Sequence, residues 1–191
     1  MRLFSFRKGL LITGNPRAGK TTLIKYLEDI LEKTFPEVKF FGFITEEVRE
    51  AKGKRDRIGF DLVPVGETKK VLPSSLPLAR KHLTEKDLPK VGSYTVLVEN
   101  LERVLSILEH ELSEKRDAVL ILDEVGKMEL KSPKFIPFFE KVLERNIPFI
   151  ATVGKGDHPF LQRVRNLEKV LLCEVTLRIG IFYERGFCLN F

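Results

Sequence analysis

Eight consecutive residues carry the clearest chemical potential in the chain: Gly14-Asn15-Pro16-Arg17-Ala18-Gly19-Lys20-Thr21. They fit the pattern Gly-x-x-x-x-Gly-Lys-Ser/Thr, in which a glycine-rich loop turns successive backbone N–H groups inward around phosphate oxygens. A helix beginning at the end of such a loop adds the positive end of its dipole. In this arrangement Lys20 reaches the β- and γ-phosphates and the Thr21 hydroxyl ligates Mg²⁺.

A second constellation, Val119-Leu120-Ile121-Leu122-Asp123-Glu124-Val125-Gly126, is an apolar run ending in two acids. It has the form of a Walker B strand. Asp123 is then the Mg²⁺ partner opposite Thr21. Glu124, one residue on, is placed to orient or deprotonate an attacking water. The same stretch also reads Asp-x-x-Gly from Asp123 to Gly126, and Gly154-Lys155-Gly156-Asp157 resembles a guanine-reading Asn-Lys-x-Asp with glycine in place of asparagine. Losing that amide removes a base contact, which disfavours a guanine-specific switch.

These motifs need elements to hold them. The chain alternates short apolar runs with amphipathic stretches, the pattern of an α/β protein with a largely parallel sheet between helices. A strand over Gly9–Thr13 leads into the loop and a helix over Lys20–Lys33, with Leu23, Tyr26, Leu27, Ile30 and Leu31 at helical spacing. Lys39–Thr45 and Gly59–Val65 read as strands of an antiparallel hairpin, turning near Lys52-Gly53-Lys54. Residues 66–92 read as irregular, and Tyr94–Val98 as a strand. Leu101 to Leu112 mark a helix before the strand Val119–Leu122. Ser132-Pro133 reads as the opening of a helix carrying Phe135, Phe138 and Phe139. Phe149–Val153, Phe160–Leu167 and Val170–Thr176 follow as strand, helix and strand. No repeat or linker divides residues 1–191, so a single domain is expected.

Composition narrows the classes. Of 191 residues 43% are hydrophobic and 31% charged, which argues for a packed globular chain. No apolar run is long enough to span a bilayer and no secretory signal is visible, so a cytoplasmic protein is expected. The formal charge of +6, from 33 Lys and Arg against 27 Asp and Glu, is dispersed. A nucleotide site and an ion-paired surface account for it, leaving nucleic acid as the less favoured partner. Cys173 and Cys188 lack ligand spacing and read as free thiols.

Several segments together resemble the THEP-type nucleoside-triphosphatases, also called the cancer-related NTPase family. They are Gly14–Thr21 with Thr22-Leu23, Gly42-Phe43-Ile44-Thr45-Glu46-Glu47-Val48-Arg49, Arg57-Ile58-Gly59-Phe60, Val91-Gly92-Ser93-Tyr94, Asp123-Glu124-Val125-Gly126-Lys127-Met128-Glu129-Leu130 and Asp157-His158-Pro159. The resemblance implies a RecA-like P-loop NTPase fold. It further implies slow Mg²⁺-dependent hydrolysis of ATP, GTP, CTP and UTP to NDP and phosphate, with nucleotide contacts from the loop and from Val119–Gly126. It breaks down at the C-terminus, where Thr176-Leu177-Arg178-Ile179-Gly180 and an apolar tail replace the Thr-x-x-Asn-Arg-Asp of similar proteins.

Outside the two motifs, Arg49 and Arg57 are candidates to reach the phosphates. Glu46 is a candidate to hold a water or Lys20, Lys127 to approach the γ-phosphate, and His158 to act as a structural cap. Two other readings remain beside hydrolysis. One is a nucleoside or nucleotide kinase, which needs an Arg-rich acceptor lid that only residues 66–92 could supply. The other is a regulatory or nucleic-acid-linked NTP-binding module. Base preference and oligomeric state are not legible.

Overall fold

A computed structural model describes residues 8–50, 56–85, 87–114, 118–176, 182–184 and 187–189. Among them, five parallel strands form the centre of one sheet: β1 (Gly9–Gly14), β2 (Lys39–Arg49), β7 (Ala118–Val125), β8 (Phe149–Val153) and β9 (Val170–Val175). They lie in the order β9-β1-β8-β7-β2, with parallel pairing throughout. Antiparallel strands extend both edges. On one side come β3 (Arg57–Gly66), β4 (Leu76–Lys81), β6 (Tyr94–Val96) and β5 (Lys90–Val91). On the other come β10 (Phe182–Glu184) and β11 (Phe187–Leu189).

The hairpin of β2 and β3 is as expected and longer, running from Phe41↔Gly66 out to Arg49↔Arg57. Its turn at 52–54 lies outside the described residues, as does most of the divergent C-terminal segment. Residues 66–92 are not irregular as expected. They form a 3-10 turn over Glu67–Lys70 and then β4 and β5. Prolines and lysines on these strands mask the alternation, and antiparallel pairing of β4 with β3 and β6 overrides it.

The helices are α1 (Lys20–Thr34), α2 (Val98–Glu114), α3 (Phe135–Glu144) and α4 (Pro159–Arg165). Val98, expected in a strand, opens α2. Alternate residues of the central strands feed two cores. Leu120 and Leu122 join Leu101, Leu105 and Leu108 of α2 and the phenylalanines of α3 on one face. Val119 and Ile121 join Ile24 of α1 on the other. Burial on both faces is why these strands read as unbroken apolar runs. Phe139 centres an aromatic cluster, with ring centroids 6.5, 5.4 and 5.8 Å from Phe135, Phe149 and Phe160. Each such pair contributes about 0.5–1.5 kcal/mol beyond its buried area.

Two local expectations are corrected. Tyr26 and Ile30 of α1 are exposed, at 62% and 37%, while Glu28 is buried. Glu28 Oε1 accepts from Lys69 Nζ at 2.9 Å and from the Gly66 N–H at 3.3 Å, so this face of α1 packs through a hydrogen-bonded carboxylate. Ser132 does not cap α3. Its hydroxyl accepts from the Lys134 N–H at 3.1 Å, in the turn before the helix begins at Phe135. His158 does cap α4, its Nδ1 accepting from the Phe160 N–H at 3.2 Å ahead of Pro159.

Candidate active site

The carboxyl ends of β1, β2, β7 and β8 open onto one cleft of ≈ 1080 Å³. Open α/β sheets place their ligands at this end of the strands. The loop Gly14–Thr21 forms one wall, with Gly14, Pro16, Arg17, Gly19, Lys20 and Thr21 bordering the space. Left-handed backbone at Arg17 (φ 64°) and Gly19 (φ 96°) curls the loop into α1. The Ala18 N–H donates to the Asn15 carbonyl at 3.1 Å, and the Lys20 ammonium donates to the carbonyls of Gly14 and Asn15 at 3.2 and 3.1 Å. Lys155 Nζ reaches Asn15 Oδ1 at 3.3 Å and also pairs with Glu174. The loop is thereby tied to the segment after β8.

Strand alternation explains the placement of the two acids. Val119 and Ile121 face α1, so Asp123, two residues further, falls on the same side as Thr21 at the start of that helix. Asp123 is 2% exposed. Its Oδ1 accepts from the Thr152 hydroxyl at 2.6 Å, and its backbone carbonyl accepts from the Thr45 hydroxyl at 2.6 Å. Oδ2 is buried without a hydrogen-bond partner of ordinary geometry. Burial raises the carboxyl above its usual range, against the opposing pull of Thr152, Thr21 and the Lys20 charge. An unsatisfied buried carboxylate oxygen is costly, and a cation relieves that cost. Asp123 and Thr21 therefore fit a hard divalent cation, which takes oxygen ligands and completes its shell with phosphate and water.

Glu124 is solvent-accessible at the floor of the cleft, yet dense protein surrounds it. Desolvation, then the charge of Asp123, raises its pKa, with Lys20 and Arg57 opposing. A carboxylate with an elevated pKa is a stronger base near neutrality. Its side chain folds over Gly126, where an added Cβ would lie 2.8 Å from Glu124 Oε1.

The remaining sequence candidates sort by position. Val119, Leu120, Ile121, Leu122 and Val125 were expected among the nucleotide contacts, but they are core residues at most 3% exposed and none borders the cleft. Their part is to hold Asp123 and Glu124 at the strand end. Arg57 borders the cleft, whereas Arg49 does not. The Arg57 guanidinium donates to the Tyr94 hydroxyl at 2.9 Å and to Glu47 at 2.7 Å, and lies 4.8 Å over the Phe60 ring. Glu46 pairs with Lys25 at 2.5 Å rather than with Lys20. Lys127 and the Gly154–Gly156 stretch line the cleft. Sequence reasoning gave no separate role to Thr45, Thr152 or Glu129. A lone threonine in the apolar strand Phe149–Val153 is a signal for Thr152, since a buried hydroxyl requires a partner.

Against this geometry, the sequence profile of the NTPase family matches residues 9–179. The chain belongs to this NTPase family. It is 38% identical over 171 residues to the nucleoside-triphosphatase THEP1 of Thermotoga petrophila, spanning 87% of this chain and 83% of that one. It is 38% identical over 173 residues to THEP1 of Aquifex aeolicus, spanning 87% and 89%. The crystal structure of Aquifex aeolicus THEP1 superposes with a TM-score of 0.68 at 34% identity, covering 88% of this chain and 90% of that one. The solution structure of a human cancer-related nucleoside triphosphatase gives 0.67 at 31% identity, covering 89% of each. The NTPase family's P-loop fold is thus the fold of this chain, with its antiparallel additions. Among the described residues no helix is long and apolar enough to cross a membrane.

Proposed function

We propose that this NTPase hydrolyses nucleoside triphosphates, ATP, GTP, CTP and UTP alike, to NDP and phosphate in the cleft above β1 and β7. The observation that carries the reading is the juxtaposition in one cleft of Lys20 and Thr21, the unsatisfied Asp123 Oδ2 and the accessible Glu124 carboxylate. Backbone N–H groups of Gly14–Thr21 and the start of α1 bind the phosphates, and Lys20 offsets charge on the β- and γ-oxygens. Thr21 and Asp123 would hold Mg²⁺. Held there, a divalent cation would supply Lewis-acid stabilisation of phosphate charge. Glu124 orients water and accepts its proton. The water oxygen bonds to the γ-phosphorus in line as the bond to the β-phosphate oxygen breaks, and NDP leaves with the electron pair. Arg57 faces the same space and stabilises charge on the departing group.

Phosphotransfer to an acceptor called for an Arg-rich lid in residues 66–92. The single arginine there, Arg80, instead bonds Asp61 and the carbonyls of Phe60 and Ala79, stitching β4 to β3. Several basic side chains are ion-paired, as in Lys33–Asp29, Lys69–Glu28, Lys70–Glu67 and Lys134–Glu102, which supports a solvated, ion-paired surface over a nucleic-acid interface.

The test is phosphate release from the four NTPs with Mg²⁺, with excess chelator as control. Lys20→Ala and Glu124→Gln are each expected to lower kcat by about 100-fold or more, and chelation to stop turnover. NTP binding without release by the wild-type protein would refute hydrolysis.

A further inference from the structure

Three carboxyls border the cleft near the end of β7, and the hydrolytic reading uses two of them. The third, Glu129, stands on the 3-10 turn Glu129–Lys131 and is 2% exposed. Burial foremost, then the charge of Glu124, raises its carboxyl well above the usual glutamate range and favours the neutral acid. A buried carboxyl is expensive where an apolar side chain would fill the same space. Its contacts show what it does there.

Glu129 Oε2 accepts the Gly126 N–H at 3.1 Å. The Gly126 carbonyl accepts the Leu130 N–H at 3.1 Å. Both ends of this glycine are thereby fixed within one turn. The Glu124 side chain lies against the same residue: a Cβ at Gly126 would stand 2.8 Å from its Oε1, 2.9 Å from its Cγ and 3.1 Å from its Cδ. Gly126 is the floor on which the Glu124 carboxylate rests, and Glu129 sets the height of that floor. The path is short: Gly126 and Glu129 are both buried, and only the Glu124 carboxylate at its end opens to the cleft.

We propose that Glu129 is a positioning residue for Glu124, acting through the Gly126 peptide that its carboxyl clamps. This rests on the reading of Glu124 as the group that orders water. A base held within hydrogen-bond reach loses efficiency steeply when displaced, about 100-fold for a shift near 1 Å.

The experiment measures kcat and KM for ATP with Mg²⁺, binding of a fluorescent ATP analogue and thermal unfolding. The variants are Glu129→Gln and Glu129→Met, each alone and in a Glu124→Gln background. The Gln side-chain oxygen still accepts the Gly126 N–H, so Glu129→Gln should keep kcat within about threefold. Glu129→Met should lower kcat about 10- to 100-fold while KM and analogue affinity move by less than about twofold. In the Glu124→Gln background the same change should add less than about twofold, because its effect passes through the missing carboxylate. Equal losses in both backgrounds, a loss confined to KM, or a Glu129→Gln variant as slow as Glu129→Met would overturn the proposal. Gly126→Ala supplies an independent arm if Glu129→Met unfolds: its methyl pushes Glu124 aside with Glu129 intact, and an unchanged kcat there would also overturn it. Wild-type turnover by Glu124→Gln would refute the base itself, and is distinguishable because it appears without any change at Glu129.

Discussion

Replacing Thr152 with valine isolates the buried support of Asp123. The side chains are nearly isosteric, Thr152 is fully buried, and its hydroxyl donates to Asp123 Oδ1 at 2.6 Å. Asp123 Oδ2 already lacks a partner, so the substitution leaves neither carboxylate oxygen with a donor of ordinary geometry. A hydrogen bond to a charged acceptor is worth about 1.5–3 kcal/mol, and leaving the acceptor buried and unsatisfied realises that full loss. For a domain of this size each 1 kcal/mol shifts Tm by about 2–4 °C, so a fall of about 3–12 °C is expected near neutral pH. The pH dependence has a definite sign. The folded carboxyl already titrates above its ordinary value of 3.8. The unfolded chain therefore releases this proton first, and stability is lost as pH rises from 3.8 through the folded value. Thr152→Val raises the folded value further, which makes its deficit small in acid and larger toward pH 8. The assay is thermal unfolding with chelator across that range, together with a Mg²⁺ titration of phosphate release. The Mg²⁺ midpoint should rise about 10-fold or more, since a ligand that has lost its outer partner is poorly oriented. A Tm gap that is absent, or that widens on acidification, would refute the reasoning.

Gly42→Ala tests the joint between the hairpin and the parallel centre. Gly42 has φ of 144°, and a Cβ there would stand 1.7 Å from the Ile121 carbonyl oxygen, so β2 and β7 must part. A loss above about 4 kcal/mol is expected, read as failure to fold or a collapsed Tm; a normal melting curve would contradict the pairing. Arg57→Ala should lower kcat about 10-fold or more, because the guanidinium borders the cleft beside Glu124. Unchanged turnover in phosphate-release assays would remove Arg57 from the charge-stabilising set.

Much of the site was legible in the sequence because its physics is local. Gly14–Thr21 encodes its own loop shape, and the spacing from Gly19 to Lys20 and Thr21 sets the start of α1 at the end of the loop, where the proposed function places the phosphates. The apolar run Val119–Leu122 declares a strand buried on two faces, and period-2 alternation then sends Asp123 toward α1 and Glu124 the other way. The same run also read as nucleotide contact, yet Val119–Leu122 and Val125 are buried on both faces and do not border the cleft, whereas Asp123, Glu124 and Gly126 do.

What only the tertiary structure decided came from pairing between distant segments. Thr45 and Thr152 meet Asp123 because β2, β7 and β8 are neighbours, and no local pattern specifies strand order. The apolar spacing on α1 could not tell Ile24 and Glu28, which face the sheet, from Tyr26 and Ile30, which face water. Residues 66–92 looked irregular because their strand character is supplied by partners on β3 and β6. Glu129 illustrates the limit most clearly. In sequence it is one acid among several on a charged stretch; only the fold buries it and sets its carboxyl to accept the Gly126 N–H, which separates a structural clamp from a solvated surface charge.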